Sequence, residues 1–206
     1  MTTPSINTVI FDWGAVLIDD PAPLLLSMFC RTLGVSADAF RTAMKRHAEP
    51  FQKGNCSESV FWQAMCADLG VPTPSLPSLW GSVFREVYLP KKDMWHLARS
   101  LKRHGYKIGL LSNTELPAVE FFHTTQPHIF DAMVFSCCEH CRKPEPAIYR
   151  LALERLQSQP SQTVFIDDNL DYLRGAQSVG LHTLHFQTPQ ILSRDLAILG
   201  IPAQIR

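Results

Sequence analysis

Acidic side chains stand at two points where a short, strongly apolar stretch of the sequence ends. Asp12 follows residues 8–11, a β-branched and aromatic run typical of a strand buried on both faces. Asp167 and Asp168 follow residues 164–166 in the same way. Ligands of open parallel sheets bind outside the carboxyl ends of the strands, so we expect these three carboxylates to meet at one rim. Such carboxylates repel one another unless a cation lies among them, and hard oxygen ligands favour Mg²⁺.

Three further residues with phosphate-binding chemistry are predicted to reach the same rim. Ser112 and Asn113 end another strand-like run, and Lys143 lies just ahead of a helix predicted to begin at Pro146. A lysine ammonium, a hydroxyl and backbone N–H groups beside Mg²⁺ form a cradle for a phosphoryl dianion. Asp12 could then act as an in-line nucleophile that forms an aspartyl-phosphate. Taken singly, Asp12 has the alternative interpretation of a turn former and Lys143 that of a surface charge.

Segments typical of strands and helices alternate along the chain. Five segments have the composition of buried strands: 8–11, 107–111, 132–135, 163–166 and 182–186. Helical periodicity stands between the later ones, as at Met94, Leu97, Ala98 and Leu101. This alternation predicts an α/β fold in which right-handed helical crossovers join the strands of an open parallel sheet.

The interval between the first two strands is too long for a single crossover. Residues 12–106 contain no convincing strand and instead predict four helices, at about 23–33, 37–47, 58–69 and 77–88. We interpret residues 18–89 as a small helical cap domain over the carboxyl edge of the sheet. Residues 1–17 and 90–206 would then form the α/β core domain. We expect the aromatic residues of this insert, including Trp62 and Trp80, to pack in its core.

The candidate site residues lie in four motifs that resemble those of the haloacid dehalogenase superfamily of hydrolases. The motifs are VIFDWGAVL at 9–17, LLSNT at 110–114, RKPEPAIY at 142–149, and FIDDN at 165–169 followed by Gly175 and Gly180. Each is weak alone, but together and in this order they span nearly the whole chain. The resemblance implies a Rossmann-like three-layer core with strand order 5-4-1-2-3 and a helical cap placed after the first motif. Within the superfamily the motifs are most similar to phosphatases of the α-glucose-1-phosphate type.

The resemblance also implies a role for each matching residue. Asp12 corresponds to the nucleophile. Four residues correspond to Mg²⁺ ligands, one of them through its backbone carbonyl: Asp12, Gly14, Asp167 and Asp168. Three residues correspond to groups that hold the phosphoryl oxygens: Ser112, Asn113 and Lys143. The implied activity is Mg²⁺-dependent hydrolysis of a small phosphorylated metabolite, with a sugar phosphate as the expected substrate.

Gly14 departs from the phosphatase pattern, which has a second aspartate two residues after the nucleophile. That aspartate protonates the leaving group, and general acid–base catalysis contributes roughly 10²–10⁴-fold. We therefore expect slow turnover of poor leaving groups, with Asp19 or Asp20 as weaker candidates for the missing acid. Two alternatives stay open at this point, a 2-haloacid dehalogenase-type hydrolase and a non-catalytic phosphate-binding or regulatory module. The doublet Asp167–Asp168 favours a metal, and therefore phosphate, over the dehalogenase.

The composition argues against several other classes of protein. Nineteen Lys and Arg residues balance nineteen Asp and Glu residues, so no global positive field would attract nucleic acid or an anionic membrane. We find no apolar run of about 18 residues and no secretory signal, and we expect a cytoplasmic monomer or homodimer with reduced thiols. Cys137, Cys138 and Cys141 surround His140, but no second ligand pair supports zinc, and incidental thiols are the favoured interpretation.

Overall fold

The structure of the protein, a computed structural model, describes residues 5–125 and 128–202. Its strands are β1 (Thr8–Phe11), β2 (Lys107–Ser112), β3 (Ala132–Phe135), β4 (Thr163–Asp167) and β5 (His182–His185). They form one parallel sheet in the order β3-β2-β1-β4-β5. This confirms the predicted strand order 5-4-1-2-3, read from the opposite edge.

Ten α-helices accompany the sheet in the described part of the chain. They are α1 (Ala22–Leu33), α2 (Ala37–Gln52), α3 (Glu58–Leu69), α4 (Leu79–Val87), α5 (Lys92–Arg103), α6 (Leu116–Thr125), α7 (Ser136–Glu139), α8 (Pro146–Leu156), α9 (Leu170–Ser178) and α10 (Pro189–Ile198). Helices α1–α4 lie between β1 and α5 in the chain, and we refer to residues 18–89 as the helical insert.

Helices cover both faces of the sheet, which gives the predicted three layers. All four residues of β1 are fully buried, and successive side chains point to opposite faces. Val9 and Phe11 belong to a hydrophobic cluster that includes residues of α5, α6 and α10. Ile10 belongs to a second cluster, with residues of α8 and α9 such as Tyr149 and Leu173. The sequence of β1 is almost continuously apolar because the strand is central and helices cover it on both faces.

The insert contains the four predicted helices, and α3 has the predicted bounds. Ser36 and Ser57 cap α2 and α3 by accepting hydrogen bonds from backbone N–H groups, as their positions predict. Helix α2 continues to Gln52, well past its predicted end at residue 47, and its last turn includes the buried side chain of Phe51. The same turn contains Pro50, which has no N–H, so the helix lacks one backbone hydrogen bond at this point.

Helix α6 was not predicted. Its first seven residues are almost continuously apolar, so they lack the alternation of buried and exposed positions that identifies a surface helix. In the structure α6 packs against α4 with Pro117, Ala118, Val119 and Phe122 buried, whereas Leu116 on its other side is exposed. Trp13 of the loop that follows β1 contacts Phe84 on one side and Phe122 on the other, with ring centroids 5.3 and 5.2 Å apart. One hydrophobic cluster therefore extends from the sheet into the insert.

The aromatic centre of the insert generates a stability prediction. Phe29 is 1% exposed and contacts the rings of Phe40, Trp62 and Trp80. We expect Phe29→Ala to lower the free energy of unfolding by about 3–5 kcal/mol, because it removes a large side chain from a packed cluster. Leu24→Ala is the control, since Leu24 lies on the same helix but is 55% exposed, and should cost less than about 0.5 kcal/mol. Urea denaturation measures both; equal effects would contradict the packing described.

Candidate active site

A buried ammonium group joins two carboxylates at the carboxyl edge of the sheet. Lys143 Nζ donates hydrogen bonds to Asp12 Oδ1 at 2.7 Å and to Asp167 Oδ2 at 2.6 Å. The side chains of Lys143 and Asp167 are essentially inaccessible, and that of Asp12 is 10% exposed. Asp12 and Asp167 are neighbours because β1 and β4 pair in parallel with Phe11 opposite Ile166, and each acid is the next residue along its chain.

A third carboxylate, that of Asp168, completes the cluster. Asp12, Asp167 and Asp168 each offer an oxygen, and these three atoms lie within 4.8 Å of one another. Asp168 is exposed toward the cavity, whereas Asp167 is buried and also accepts a hydrogen bond from the backbone N–H of Asn169. The three acids predicted to meet are thus together, and their oxygens are the hard ligands that a small divalent cation such as Mg²⁺ prefers.

Burial and charge shift the pKa values of these groups. Burial raises the pKa of Asp12 to about 7, with a further contribution from the charge of Asp167, although Lys143 opposes the shift. Burial alone would lower the pKa of Lys143, but the charges of Asp12 and Asp167 raise it above its ordinary value. Burial and Asp167 also raise the pKa of Asp168. One ammonium offsets only one of three carboxylate charges, so a bound cation would stabilise the ionised form of all three.

Asn113 fixes the backbone of Lys143. Its side-chain amide donates to the Lys143 carbonyl at 2.9 Å and accepts from the Lys143 N–H at 2.8 Å. Gly175 of α9 lies directly behind the same loop, where an added Cβ would come within 2.7 Å of the Pro144 carbonyl oxygen. The rings of Phe165 and Tyr172 face the Lys143 ammonium at 5.4 and 4.9 Å. Contacts from β2, β4 and α9 therefore hold the lysine in place.

The loop after β1 turns sharply beside the nucleophile candidate. Gly14 lines the same cavity as Asp12, and its carbonyl accepts a hydrogen bond from the Val16 N–H at 2.7 Å. Ala15 has a φ of 58°, a left-handed conformation that costs a residue with a Cβ about 1–2 kcal/mol. At Gly14 itself an added Cβ would meet nothing closer than Pro21 Cδ at 3.9 Å. Glycine is therefore not sterically required at position 14.

A cavity of about 550 Å³ opens above these groups. Six of the seven predicted site residues line it: Asp12, Gly14, Ser112, Asn113, Lys143 and Asp168. The seventh, Asp167, lies behind Lys143. Asp20 also lines the cavity and accepts a hydrogen bond from the Ala22 N–H, whereas Asp19 forms an ion pair with Lys91 outside it. Of the two acids considered as substitutes at Gly14, only Asp20 thus reaches the cavity.

Glu115 is a cavity residue that the sequence analysis did not single out. It is 7% exposed, and burial raises the pKa of its carboxyl to about 7 despite a hydrogen bond from Gln52. The Gln52 side-chain carbonyl in turn accepts from Arg142 at 2.7 Å, which orients the amide nitrogen toward Glu115. An acid immediately before an apolar helix was the available signal, but such residues are usually exposed caps.

The cysteine-rich segment contacts the helical insert and takes no part in the carboxylate cluster. His140 Nδ1 lies 3.0 Å from the Lys53 carbonyl oxygen and 3.1 Å from Asn55 Oδ1, both in the turn after α2. Cys137 is buried and Cys138 is exposed, and all six cysteines are free thiols. Across residues 5–125 and 128–202, the one group of three or more potential metal-binding side chains is that of the three aspartates. No helix in these same ranges is long and apolar enough to cross a membrane.

The comparisons with known proteins agree with this arrangement. A family model for haloacid dehalogenase-like hydrolases matches residues 6–180. The chain belongs to this family. It is 25% identical to a sesquiterpene phosphatase of Aspergillus oryzae, over 87% of this chain and 89% of that protein. It is 29% identical to mouse acyl-CoA dehydrogenase family member 10 over 98% of this chain, but it spans only 20% of the length of that protein.

Solved structures of other members of the haloacid dehalogenase-like family share the fold. One is an enzyme from Bacteroides thetaiotaomicron with magnesium and inorganic phosphate bound, with a TM-score of 0.71 at 19% identity over 89% of this chain and 95% of that chain. Another is the L-2-haloacid dehalogenase of Xanthobacter autotrophicus, with a TM-score of 0.60 at 19% identity over 95% of this chain and 84% of that chain. The fold is therefore common to phosphate-binding and dehalogenating members, and the chemistry must be argued from the site.

The buried carboxyl of Glu115 generates a prediction about stability and pH. Its pKa lies near 7 in the folded protein against an ordinary value of 4.5, so the folded state holds the proton more tightly. Stability conferred by this group therefore falls as pH rises from about 4.5 through 7. We expect Glu115→Gln, which cannot ionise, to gain up to about 3 kcal/mol relative to wild type between pH 5 and pH 8.

Urea denaturation at the two pH values measures this difference. Glu120→Gln is the control, because Glu120 is an exposed carboxylate on α6, the helix that directly follows Glu115. A stability difference between Glu115→Gln and wild type that stays constant from pH 5 to pH 8 would contradict the prediction.

Proposed function

We propose that this protein is a Mg²⁺-dependent phosphatase that hydrolyses a small phosphorylated metabolite through an aspartyl-phosphate on Asp12. The observation that carries the proposal is the buried Lys143 ammonium, 2.7 Å from Asp12 Oδ1, beside three carboxylates whose oxygens lie within 4.8 Å of one another. A carboxylate-rich centre suits a divalent cation, and the cation would attract a phosphoryl dianion, whereas displacement of halide from a 2-haloacid needs no metal. This favours phosphate over halide chemistry.

The residues present fit Mg²⁺. Asp12, Asp167, Asp168 and the carbonyl of Gly14 would hold it, since all four offer hard oxygen atoms. Bound Mg²⁺ would offset the negative charge that Asp12 and the phosphoryl oxygens bring together. The magnesium in the Bacteroides enzyme of the same fold supports this assignment.

The chain's own residues supply the remaining chemistry. Asp12 attacks phosphorus, the bond from phosphorus to the leaving oxygen breaks, and an aspartyl-phosphate forms on the Asp12 carboxylate. Ser112 and Lys143 hold the phosphoryl oxygens, and Asn113 keeps Lys143 in position through two backbone contacts. Water then attacks phosphorus, releases inorganic phosphate and restores Asp12. With glycine at position 14, solvent must protonate the leaving oxygen unless the substrate is a good leaving group.

We propose further that residues 18–89 act as a cap domain on a core formed by residues 1–17 and 90–206. The chain leaves and re-enters the core at one place, where Ile18 and Pro90 pair in an antiparallel bridge. Backbone hydrogen bonds flank this bridge, from Lys91 N–H to the Leu17 carbonyl and from Asp19 N–H to the Leu89 carbonyl, both at 2.9 Å. The two points at which the chain passes between core and insert are therefore adjacent, as expected for a domain inserted into another.

A sugar phosphate is the substrate that the motif resemblance predicts. Phosphatase activity in general has wider support, because relatives of this chain include the sesquiterpene phosphatase and a pyrophosphatase of Bacillus mycoides that is 27% identical over 87% of this chain. A sugar 1-phosphate is a better leaving group than a simple alcohol phosphate. It would therefore suffer less from the absence of an acid at Gly14.

Removal of the nucleophile or the metal tests the proposed reaction. We expect Asp12→Asn to reduce phosphate release from p-nitrophenyl phosphate by at least about 10³-fold, because the amide cannot form the covalent intermediate. EDTA should abolish release by the wild type, and added Mg²⁺ should restore it. Chloride release from 2-chloropropionate in EDTA would instead identify a dehalogenase. Mg²⁺-dependent phosphate binding without hydrolysis of any ester would identify a non-catalytic module.

Introduction of an acid at position 14 tests whether the lack of a proton donor there slows the reaction. The space around Gly14 and its ordinary backbone conformation allow an aspartate. We expect Gly14→Asp to raise kcat for alkyl phosphates by at least about tenfold, because it supplies a proton to the leaving oxygen. Gly14→Asn is the matched control, since it has the same shape and cannot act as an acid. Equal rates for the two variants would contradict the role assigned to position 14.

A further inference from the structure

The cavity has two walls of opposite chemistry. The site residues at the carboxyl edge of the sheet form a charged floor. The helical insert contributes the opposite wall, which is built mainly from hydrocarbon and aromatic side chains of α1, α2 and α4: Leu25, Leu26, Phe29, Phe40, Met44 and Trp80. A ligand whose phosphate reaches Lys143 and Asp12 must place the rest of its structure against this apolar wall.

Polar groups on the insert's wall are few. Asp20 accepts from the Ala22 N–H at 3.0 Å, and Arg41 donates to Asp38 at 3.1 Å. Gln52 uses both ends of its amide, one toward Arg142 and the other toward Glu115. The buried Trp80 Nε1 adds one donor that has no partner in the described part of the chain. The insert therefore offers a ligand much more hydrocarbon than polar surface.

The apolar wall is also preformed. Phe29 stacks on Phe40 at 5.7 Å between ring centroids and contacts Trp80 at 5.1 Å, so these side chains hold one another in position. All three are at most 4% exposed. The wall therefore does not have to rearrange when a ligand binds. Hydrocarbon placed against it is removed from water, and the protein gives up no conformational entropy to form the contact.

We propose that the substrate of this site is the phosphate monoester of an apolar alcohol, with its hydrocarbon part lying between the carboxylate floor and helices α1, α2 and α4. This rests on the phosphatase function proposed above and assigns the substrate class. Sugar hydroxyls placed against this wall would find few partners to replace the water they lose, whereas each methylene group would gain by leaving water. The apolar wall therefore favours a different substrate class from the sugar phosphate that the motif resemblance predicts.

Binding of n-alkylphosphonates in the presence of Mg²⁺ tests the proposal without requiring turnover. Isothermal titration calorimetry should show Kd falling roughly fourfold per added methylene from ethyl to octyl, until the cavity is filled. Glucose 1-phosphate, titrated into the inactive Asp12→Asn variant alongside octylphosphonate, should bind more weakly than the octyl compound. A Kd independent of chain length, tighter binding of glucose 1-phosphate, or no binding of any phosphonate would overturn the substrate class.

Two methionine variants locate the hydrocarbon site. Met44 and Met28 are both partly buried on helices of the insert, but only Met44 lines the cavity. We expect Met44→Gln to weaken octylphosphonate binding about tenfold and to leave methylphosphonate binding unchanged, because it places an amide against the tail alone. Met28→Gln should change neither. Equal effects of the two variants, or an equal loss for both phosphonates, would contradict the assigned location.

Hydrolysis distinguishes failure of this inference from failure of the proposed function. Phosphate release from p-nitrophenyl phosphate that depends on Asp12, together with flat chain-length dependence in binding, would overturn the substrate class and leave the phosphatase intact. Chain-length-dependent binding without hydrolysis of any ester would support the apolar ligand and overturn the phosphatase.

Discussion

The buried contact of Lys143 with Asp12 and Asp167 is the constraint on which the rest of the site depends. A lone ammonium in the protein interior would lose several kcal/mol of hydration, and so would each of the two buried carboxylates. Together they offset much of that cost, but only if three separate parts of the chain meet within hydrogen-bonding distance. The parallel pairing of β1 with β4 supplies the two acids, and the loop ahead of α8 supplies the lysine. The fold and the site therefore stabilise each other through the same three side chains.

The positioning of Lys143 shows how much surrounding structure this contact requires. The side-chain amide of Asn113 makes two hydrogen bonds to the backbone of Lys143 and so fixes the loop that carries the lysine. Gly175 brings α9 close enough to touch the neighbouring proline, and a larger residue would push the loop away from the carboxylates. Asn113 directly follows β2 and Gly175 lies in α9, so the lysine is held from two sides of the sheet edge. Such rigid placement suits a group that must meet a phosphoryl oxygen in one orientation.

The helical insert contributes a different kind of surface. Its aromatic residues form a packed cluster that joins the core through Trp13, which contacts residues of both α4 and α6. Its inner face is apolar where the floor below it is charged. The turn after α2 also reaches the core near Cys137, and the chain of hydrogen bonds from Arg142 through Gln52 to Glu115 crosses the same boundary. The insert thus shapes the cavity and also contacts the loop that carries Lys143.

The sequence by itself determined the strands and the meeting of the three aspartates, because buried parallel strands are short apolar runs and acids at their carboxyl ends must share one edge. The order of the strands followed from the resemblance of the four motifs to a known family. It did not reveal α6, because the exposed side of that helix includes Leu116 and so the apolar residues of its first turns show no amphipathic period. Nor did it reveal the burial of Glu115 or the contact of Asn113 with the backbone of Lys143. These features depend on contacts between residues distant in the chain, as does the chemistry of the cavity wall, where neighbouring positions on a helix face either solvent or substrate. Only the tertiary structure fixes which of the many apolar side chains of the insert line the site.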